Sequence, residues 1–568
     1  MTDTRSPNEP IANLAIGSII EVDGTRLVAE LHRDISELSR VYAGDTYPIG
    51  QFGSILKIHF GRRLVYALVG RLRMKAEFEA ERGIAPTAAA DERVIEADLF
   101  GEGEWTYEDA SGSRHWELRF QRGVATYPLP QQTVYLTPRS ELRFIYGRPS
   151  GPVVRLGVHV GSGGAPCYAD INELLGKHAA VLGSTGAGKS GTVAAIIHGI
   201  LERGVECGYE TWNPRIVILD PHNEYAEAFP AHSKLSTDDR TLKLPYWLLN
   251  FQETVALLIG KTEFVATSQA NIVKQALLKA REEGANALGI DSRKINVDSP
   301  VPYKLSRLRT LVDADKPSQA SKQDSHNSLL EKLDVLQRDA RLKFLMEDWD
   351  GATDPFADII GLLLGVENQP RIIDLSGVPN EVAGISSAVI ARTLFNYKVW
   401  QTPTERAQNP VLLVCEEAHR YVPNRGEAQY EAAQEAIRRV AKEGRKYGIA
   451  LLLVSQRPSE VDATVLSQCN SWVVLRITNE SDREHVRAVL PDSMAGLTKM
   501  LSGLRRQEAI FVGQAAVLPS RILIRSLDEE QLPASRDVNF DAGWRHAGMS
   551  SEAIGTVAAR WRLQGDDS

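Results

Sequence analysis

The chain has 568 residues, enough for a large core and for two or three domains, since single cores stop growing near roughly 250 to 300 residues. Its 65 basic against 73 acidic residues give a formal net charge of −8, which argues against a protein that coats nucleic acid over its whole surface and leaves room for a local basic channel. Cys167, Cys207, Cys415 and Cys469 lie far apart without the spacing of a metal site, so they read as reduced thiols of a cytoplasmic protein rather than as disulfides or zinc ligands.

The opening "MTDTRSPNEP" is polar and lacks an apolar signal core, so residues 1–12 are expected to be disordered. No apolar run approaches the roughly 18 residues that would span a bilayer, and no membrane partner is expected. From Asn13 to about Val160, short apolar runs such as "FGSILKIHFGRRLVYALVGRLR" are split by Gly, Asp and Arg. That texture predicts short antiparallel strands in a small barrel or sandwich over 13–160. "GSGGAPCYAD" then reads as a turn or linker.

The texture changes beyond it. "AAVLGS", "RIVILDP", "RIIDLSG", "VLLVCEE" and "IALLLVSQ" are continuous apolar runs, each followed by a loop and a helical pattern. Runs of this kind suit strands buried on both faces of a parallel sheet, so 161–252 and 355–530 are expected to form a doubly wound α/β domain. Residues 253–354 are helical in pattern and read as an insertion, with "DADKPSQASKQDSHNS" inside it as a mobile loop. Residues 531–568 read as a tail with one amphipathic helix, "SEAIGTVAARWRL".

The first of the α/β runs leads into Gly183-Ser184-Thr185-Gly186-Ala187-Gly188-Lys189-Ser190, which matches GxxxxGK[ST] between a strand and a helix that continues through Gly191. Glycines let backbone N–H groups wrap phosphates, Lys189 is expected to reach the β and γ oxygens of ATP, and Ser190 to place a hydroxyl on Mg²⁺. Hydrolysis also needs carboxylates for metal and water. "VLLVCEEAH" supplies Glu416 for the metal shell and Glu417 to polarise water, at the end of a buried strand. Glu stands where Asp is more usual, which favours metal contact through water.

Two more strand ends point to the same edge. "RIVILDPHNEY" delivers Asp220 and Glu224, either of which could position water or metal, and "IALLLVSQRP" delivers Gln456 as a sensor of the γ-phosphate. Turn or cap roles are the alternative for each. In "AAQEAIRRVAKEGRKYG" an apolar stripe of Ala432, Ala433, Ala436, Ile437, Val440 and Ala441 leaves Arg438, Lys442 and Arg445 on another face. In an oligomeric ATPase an arginine from a neighbouring subunit stabilises the charge of the transition state. Arg445 is the first choice for that role and Arg439 the second.

The order "GSTGAGKS", "ILDPHNEY", "CEEAHRYVP", "EGRKYGIALLLVSQRPSEV" and "QCNSWVVLRITNESD" resembles the HerA family of FtsK-like hexameric DNA translocases, over about residues 13–530. The resemblance implies a RecA/FtsK-like P-loop NTPase core behind a small barrel similar to that of rotary ATP synthase subunits. It also implies a homo-hexamer threading duplex DNA, with Lys189, Glu417, Arg445 and Gln456 at the positions of phosphate lysine, catalytic glutamate, trans-acting arginine and sensor. Family members work with a partner effector, either a nuclease of the NurA type or a sirtuin-like NAD-degrading protein, in DNA end processing or anti-phage defence. The expected function is therefore an ATP-driven DNA translocase or helicase. A nucleotide-gated scaffold that activates an effector without translocating is the alternative.

Overall fold

The computed structural model describes residues 7–562 except 36, 52, 84, 86–91, 111–112, 149–150, 161–163, 230–232, 260–264, 366–368, 425–430, 491–497, 499, 535–538, 547 and 549. Residues 1–6 of the stretch expected to be disordered lie outside the described residues. The chain divides into two units, residues 1–170 with 473–525 and residues 171–472 with 526–568.

In the first unit, β1 (Ala15–Asp23), β2 (Arg26–Leu31), β5 (Ile55–Phe60), β6 (Arg63–Met74), β7 (Arg93–Ala110) and β9 (Thr133–Leu136) form an antiparallel sheet. Its order is β2-β1-β9-β5-β6-β7, and β2 also pairs with β7, so the sheet closes into a six-stranded barrel. The hairpin of β3 (Ser39–Tyr42) and β4 (Asp45–Pro48) stands apart, and β8 (Ser113–Arg122) extends the far end of β7. Alternating inward residues, among them Ile16, Leu27, Leu56, Val65, Ile95 and Val134, fill the interior. Gly17 is required by the tight β1–β2 pairing: a Cβ there would sit 2.2 Å from the Glu30 carbonyl oxygen.

The barrel strands end at Leu136, short of the expected boundary at 160. β10 (Val153–His159) pairs instead with β11 (Pro166–Asp170) and with β20 (Ser520–Ile524), which in turn pairs with β19 (Glu508–Gly513). The stretch expected to be a linker therefore supplies a strand. Its strand partner is the preceding β10, so the glycine-rich stretch joins a hairpin rather than two domains.

Among the described residues the second unit contains six parallel strands: β12 (Ala179–Leu182), β13 (Arg215–Asp220), β14 (Ser233–Leu235), β15 (Arg371–Asp374), β16 (Val411–Cys415) and β17 (Ile449–Ser455). Their order is β12-β17-β16-β13-β15-β14. β12, β15, β16 and β17 are buried at every residue, the pattern of a sheet covered by helices on both faces. The architecture is a P-loop α/β core accompanied by an N-terminal antiparallel barrel.

Helices between β14 and β15 run from Phe251 to Leu364, slightly beyond the expected insertion on both sides. Asn250 and Glu253 start the first with a capping box, and Glu253 also accepts both Nε (2.8 Å) and Nη2 (2.7 Å) of Arg392. Arg281 is fully buried with its guanidinium on the carbonyls of Leu249 (2.6 Å) and Ser299 (2.6 Å). The stretch expected to be a mobile loop instead contains the helix end at Ala314, a 3-10 turn at Ala320–Lys322 and a helix starting at Asp324. Leu329, Leu330, Leu333 and Leu336 bury that last helix, which overrides its polar start.

Candidate nucleotide site

Four sheet strands end at one edge, and the predicted site residues follow those ends. Leu182 of β12 leads into the glycine-rich loop, and the helix Lys189–Cys207 starts directly after Gly188. Gly186 has φ +72° and Gly188 φ +102°, a left-handed backbone that suits glycine and lets the loop curl around an anion. Gly183 donates its N–H to the Ser455 carbonyl at 3.2 Å, tying the loop to β17, and Ala187 N–H closes on Ser184 at 3.2 Å. Thr192 Oγ1 caps the Gly188 carbonyl at 2.8 Å. Gly191 has open space where a Cβ would stand, so sterics do not demand glycine there.

Lys189 is buried, and its ammonium reaches the Ser184 carbonyl at 3.5 Å, a long contact for a buried cation. Ser190 Oγ donates to Glu224 Oε2 at 2.8 Å. Thr185 Oγ1 donates to Gln456 Oε1 at 2.6 Å. Phosphate loop, Glu224 turn and the end of β17 are thereby brought together, and Glu224, left open by the sequence, is the direct partner of Ser190.

At the end of β16, Glu416 and Glu417 are both buried. Tyr225 donates its hydroxyl to Glu416 Oε2 at 2.7 Å. Burial, reinforced by the neighbouring Glu417 and Glu224 charges, pushes Glu416 up to about 8 despite the Tyr225 hydrogen bond and Lys189. Glu417 differs: burial raises it, but the His419 imidazole, Lys189 and the Gln456 N–H outweigh burial and hold it below the usual carboxylate range. His419 Nδ1 lies 3.2 Å from Glu417 Oε2, yet that oxygen accepts no hydrogen bond among the described residues. Glu417 also carries φ +52°, a left-handed conformation that a non-glycine side chain holds only where its surroundings enforce it.

Asp220 is fully buried at the end of β13, and burial raises its carboxyl against two backbone hydrogen bonds. Those bonds occupy both oxygens: Oδ1 accepts from His222 N–H at 3.2 Å and Oδ2 from Tyr225 N–H at 3.0 Å. Both Asp220 oxygens thus brace the turn that carries His222 and Tyr225.

Arg445 is exposed and stands elsewhere. It lines a cleft of about 580 Å³ with Arg215, Val411 and Ile449, the first residues of β13, β16 and β17. The seven residues of β17 rise about 3.3 Å each, so roughly 20 Å of sheet separates it from the phosphate loop of its own subunit. Arg439 stacks its guanidinium over Phe395 at 4.7 Å and lies 3.7 Å from Glu443, while Arg438 donates Nε to Asp462 Oδ2 at 2.9 Å. Of the expected apolar stripe, Ala433, Ile437, Val440 and Ala441 are buried and Ala432 and Ala436 partly so, with Gln434 and Gly444 completing the packed face.

The residues fit a nucleotide with its metal. A serine hydroxyl, Glu224 and Glu416 are hard oxygen ligands of the kind Mg²⁺ accepts directly or through water, and the orphaned Glu417 oxygen and the under-satisfied Lys189 face chemistry of opposite charge. Two participants escaped the sequence reading. Tyr225 ends the "DPHNEY" stretch and His419 follows the glutamate pair by two positions, and both could have been flagged by their place after buried strand ends.

Comparison with known proteins agrees with this organisation. Residues 154–394 match the family model described as Helicase HerA, central domain. The chain is similar to the DNA double-strand break repair helicase HerA of Pyrococcus furiosus, 26% identical over 70% of this chain and 73% of that protein. It is likewise similar to that of Sulfolobus acidocaldarius, 27% identical over 76% and 80%, and to the probable helicase MJ1565 of Methanocaldococcus jannaschii, 23% identical over 78% and 79%. Among solved structures, VirB4 of Thermoanaerobacter pseudethanolicus aligns with 18% identity and a TM-score of 0.47 over 67% of this chain and 99% of that one. The conjugative coupling protein TrwBdeltaN70 aligns with 15% identity and a TM-score of 0.45, over 70% and 95%. Residues 154–394 thus carry a HerA-type central domain, and over about three quarters of its length the chain is similar to archaeal HerA helicases.

Proposed function

We propose that this protein is an ATP-hydrolysing DNA translocase that works as a homo-hexamer. The observation that carries the reading is Glu417: a buried carboxylate held below the usual carboxylate range, whose Oε2 accepts no hydrogen bond among the described residues and has His419 Nδ1 beside it at 3.2 Å, on the same strand edge as Lys189, Ser190 and Gln456. A carboxylate so placed can orient and polarise a water for attack on a γ-phosphate. Lys189 neutralises phosphate charge and Gln456 links the γ-phosphate position to the loop through Thr185. Ser190, Glu224 and Glu416 would hold Mg²⁺, which supplies charge neutralisation at the β and γ oxygens. Asp220 positions the Glu224 turn from beneath.

The position of Arg445, about 20 Å of sheet away from its own loop, supports a role on the nucleotide of a neighbouring subunit. DNA as the substrate is supported by the similarity to repair helicases. An effector partner, nuclease or NAD-degrading, rests on the family resemblance alone.

The deciding experiment is ATP hydrolysis by the purified protein with and without linear duplex DNA, beside Glu417→Gln, with the particle mass measured in the same buffer. Hexameric mass with DNA-stimulated turnover that Glu417→Gln abolishes is expected. A hexamer whose turnover ignores DNA would sink the translocase and favour the nucleotide-gated scaffold.

A further inference from the structure

Tyr225 is fully buried, and its hydroxyl donates to Glu416 Oε2 at 2.7 Å. Packing alone does not call for that hydroxyl, because phenylalanine fills nearly the same volume and a buried phenol must find an acceptor. The backbone of the same residue is fixed too, through Tyr225 N–H on Asp220 Oδ2 at 3.0 Å. One position earlier, Glu224 accepts Ser190 Oγ at 2.8 Å. A single turn thus grips two site members on separate elements: Ser190 at the start of the phosphate-loop helix, and Glu416 just past the end of β16.

We propose that Tyr225 is a positioning residue of the nucleotide site, holding Glu416 through its Oε2 on the metal side, with Asp220 fixing Tyr225 in turn. The inference rests on the ATPase reading above. Burying a carboxylate without donors is costly, so Glu416 would otherwise swing or draw in water, and the Tyr225 hydroxyl leaves it one orientation. Asp220, with both oxygens on backbone N–H groups, acts at one remove through the turn. Because Glu224 and Tyr225 are adjacent, any shift of the turn moves the partners of Ser190 and Glu416 together.

The test is Tyr225→Phe, which keeps the ring and removes the hydroxyl. Mn²⁺ binding to protein loaded with a non-hydrolysable ATP analogue is followed by electron spin resonance, beside kcat and KM for ATP. Loss of a partner that orients a metal ligand weakens metal binding or activity by about ten- to a hundredfold, so Mn²⁺ affinity and kcat are expected to fall by that order with KM for ATP little changed. In a Glu416→Gln background the same substitution is expected to have little further effect on Mn²⁺ affinity, because its route is gone. Wild-type Mn²⁺ affinity in Tyr225→Phe, or an equal loss in both backgrounds, would overturn the proposal. Should Tyr225→Phe fail to fold, Asp220→Asn loosens the same turn with the phenol retained, and the same two-background comparison decides. A wild-type protein that hydrolyses no ATP would refute the ATPase reading instead, a result distinct from either.

Discussion

Thr185 Oγ1 donates to Gln456 Oε1 at 2.6 Å, joining the phosphate loop to the end of β17 through side chains alone. The Gly183 N–H to Ser455 carbonyl bond runs parallel to it in the backbone. Gln456→Ala removes the side-chain link and spares the backbone one, so the loop keeps its place while the contact at the γ-phosphate is lost. ATP binding within a few-fold of wild type and kcat reduced about tenfold or more are expected from the loss of one oriented amide. Equilibrium binding of a fluorescent ATP analogue, set beside steady-state turnover, separates the two.

Lys189→Ala and Glu417→Gln should fail in different ways. In the proposed site Lys189 would supply charge-assisted contacts to phosphate, so its removal is expected to weaken ATP binding by at least about tenfold. Glu417→Gln keeps the shape and loses the base, so binding should persist while kcat falls by about 10²- to 10⁴-fold. Calorimetric titration with ATP would distinguish them, and equal binding losses in both variants would argue against the separate roles.

Arg445 and Glu417 lie at opposite ends of one sheet's strands, so in the proposed ring a subunit lacking one would be complemented by a neighbour lacking the other. Arg445→Ala and Glu417→Gln proteins, each inactive alone, are expected to regain turnover when mixed by dissociation and reassembly. Random mixing in equal amounts restores roughly a quarter of the interfaces of a closed ring. Mixtures that remain inactive, with mixed rings demonstrated by mass, would remove Arg445 from the site; Arg439, stacked on Phe395, would then be the next to test.

Stability should fall in mild acid because of His178. Its Nδ1 accepts the Leu451 N–H at 3.0 Å and its Nε2 faces the Ala441 carbonyl at 3.0 Å, an arrangement that requires the neutral ring. Burial lowers its pKa to about 4 from the ordinary 6.5, only partly opposed by the Ala441 bond. The unfolded chain therefore binds the proton more readily, and the contribution is present above pH 6.5 and lost as pH falls toward 4. His178→Gln, which keeps one acceptor and one donor, should flatten that part of the melting-temperature profile between pH 6.5 and 4, measured by scanning calorimetry.

Much of the core was legible because its signals are local. A glycine pattern between strand and helix, and acids directly after five apolar residues, mark a strand edge without any knowledge of pairing. What escaped depends on contacts between distant segments. The closing β2–β7 pair, the β10–β20 pair and the Tyr225–Glu416 bond join residues whose partners no local window contains. Asp220 shows a subtler limit, since the same aspartate at a strand end can face a metal or close a turn, and only the two N–H groups on its oxygens decide. The helix expected in the tail is present over Ser551–Arg562, with Ile554 and Val557 exposed.

One backbone bond ties that tail to the nucleotide site: Ala534 N–H donates to the Glu224 carbonyl at 2.8 Å. Ribosomes make the phosphate loop, both strand-end glutamates and Gln456 well before they make residue 534. A nascent chain therefore holds the hydrolytic residues before it holds the stitch that fastens the turn bearing Glu224 and Tyr225. Fastening of this candidate edge therefore waits for the synthesis of Ala534, and a chain stopped short of it lacks the bond that holds the turn bearing Glu224 and Tyr225.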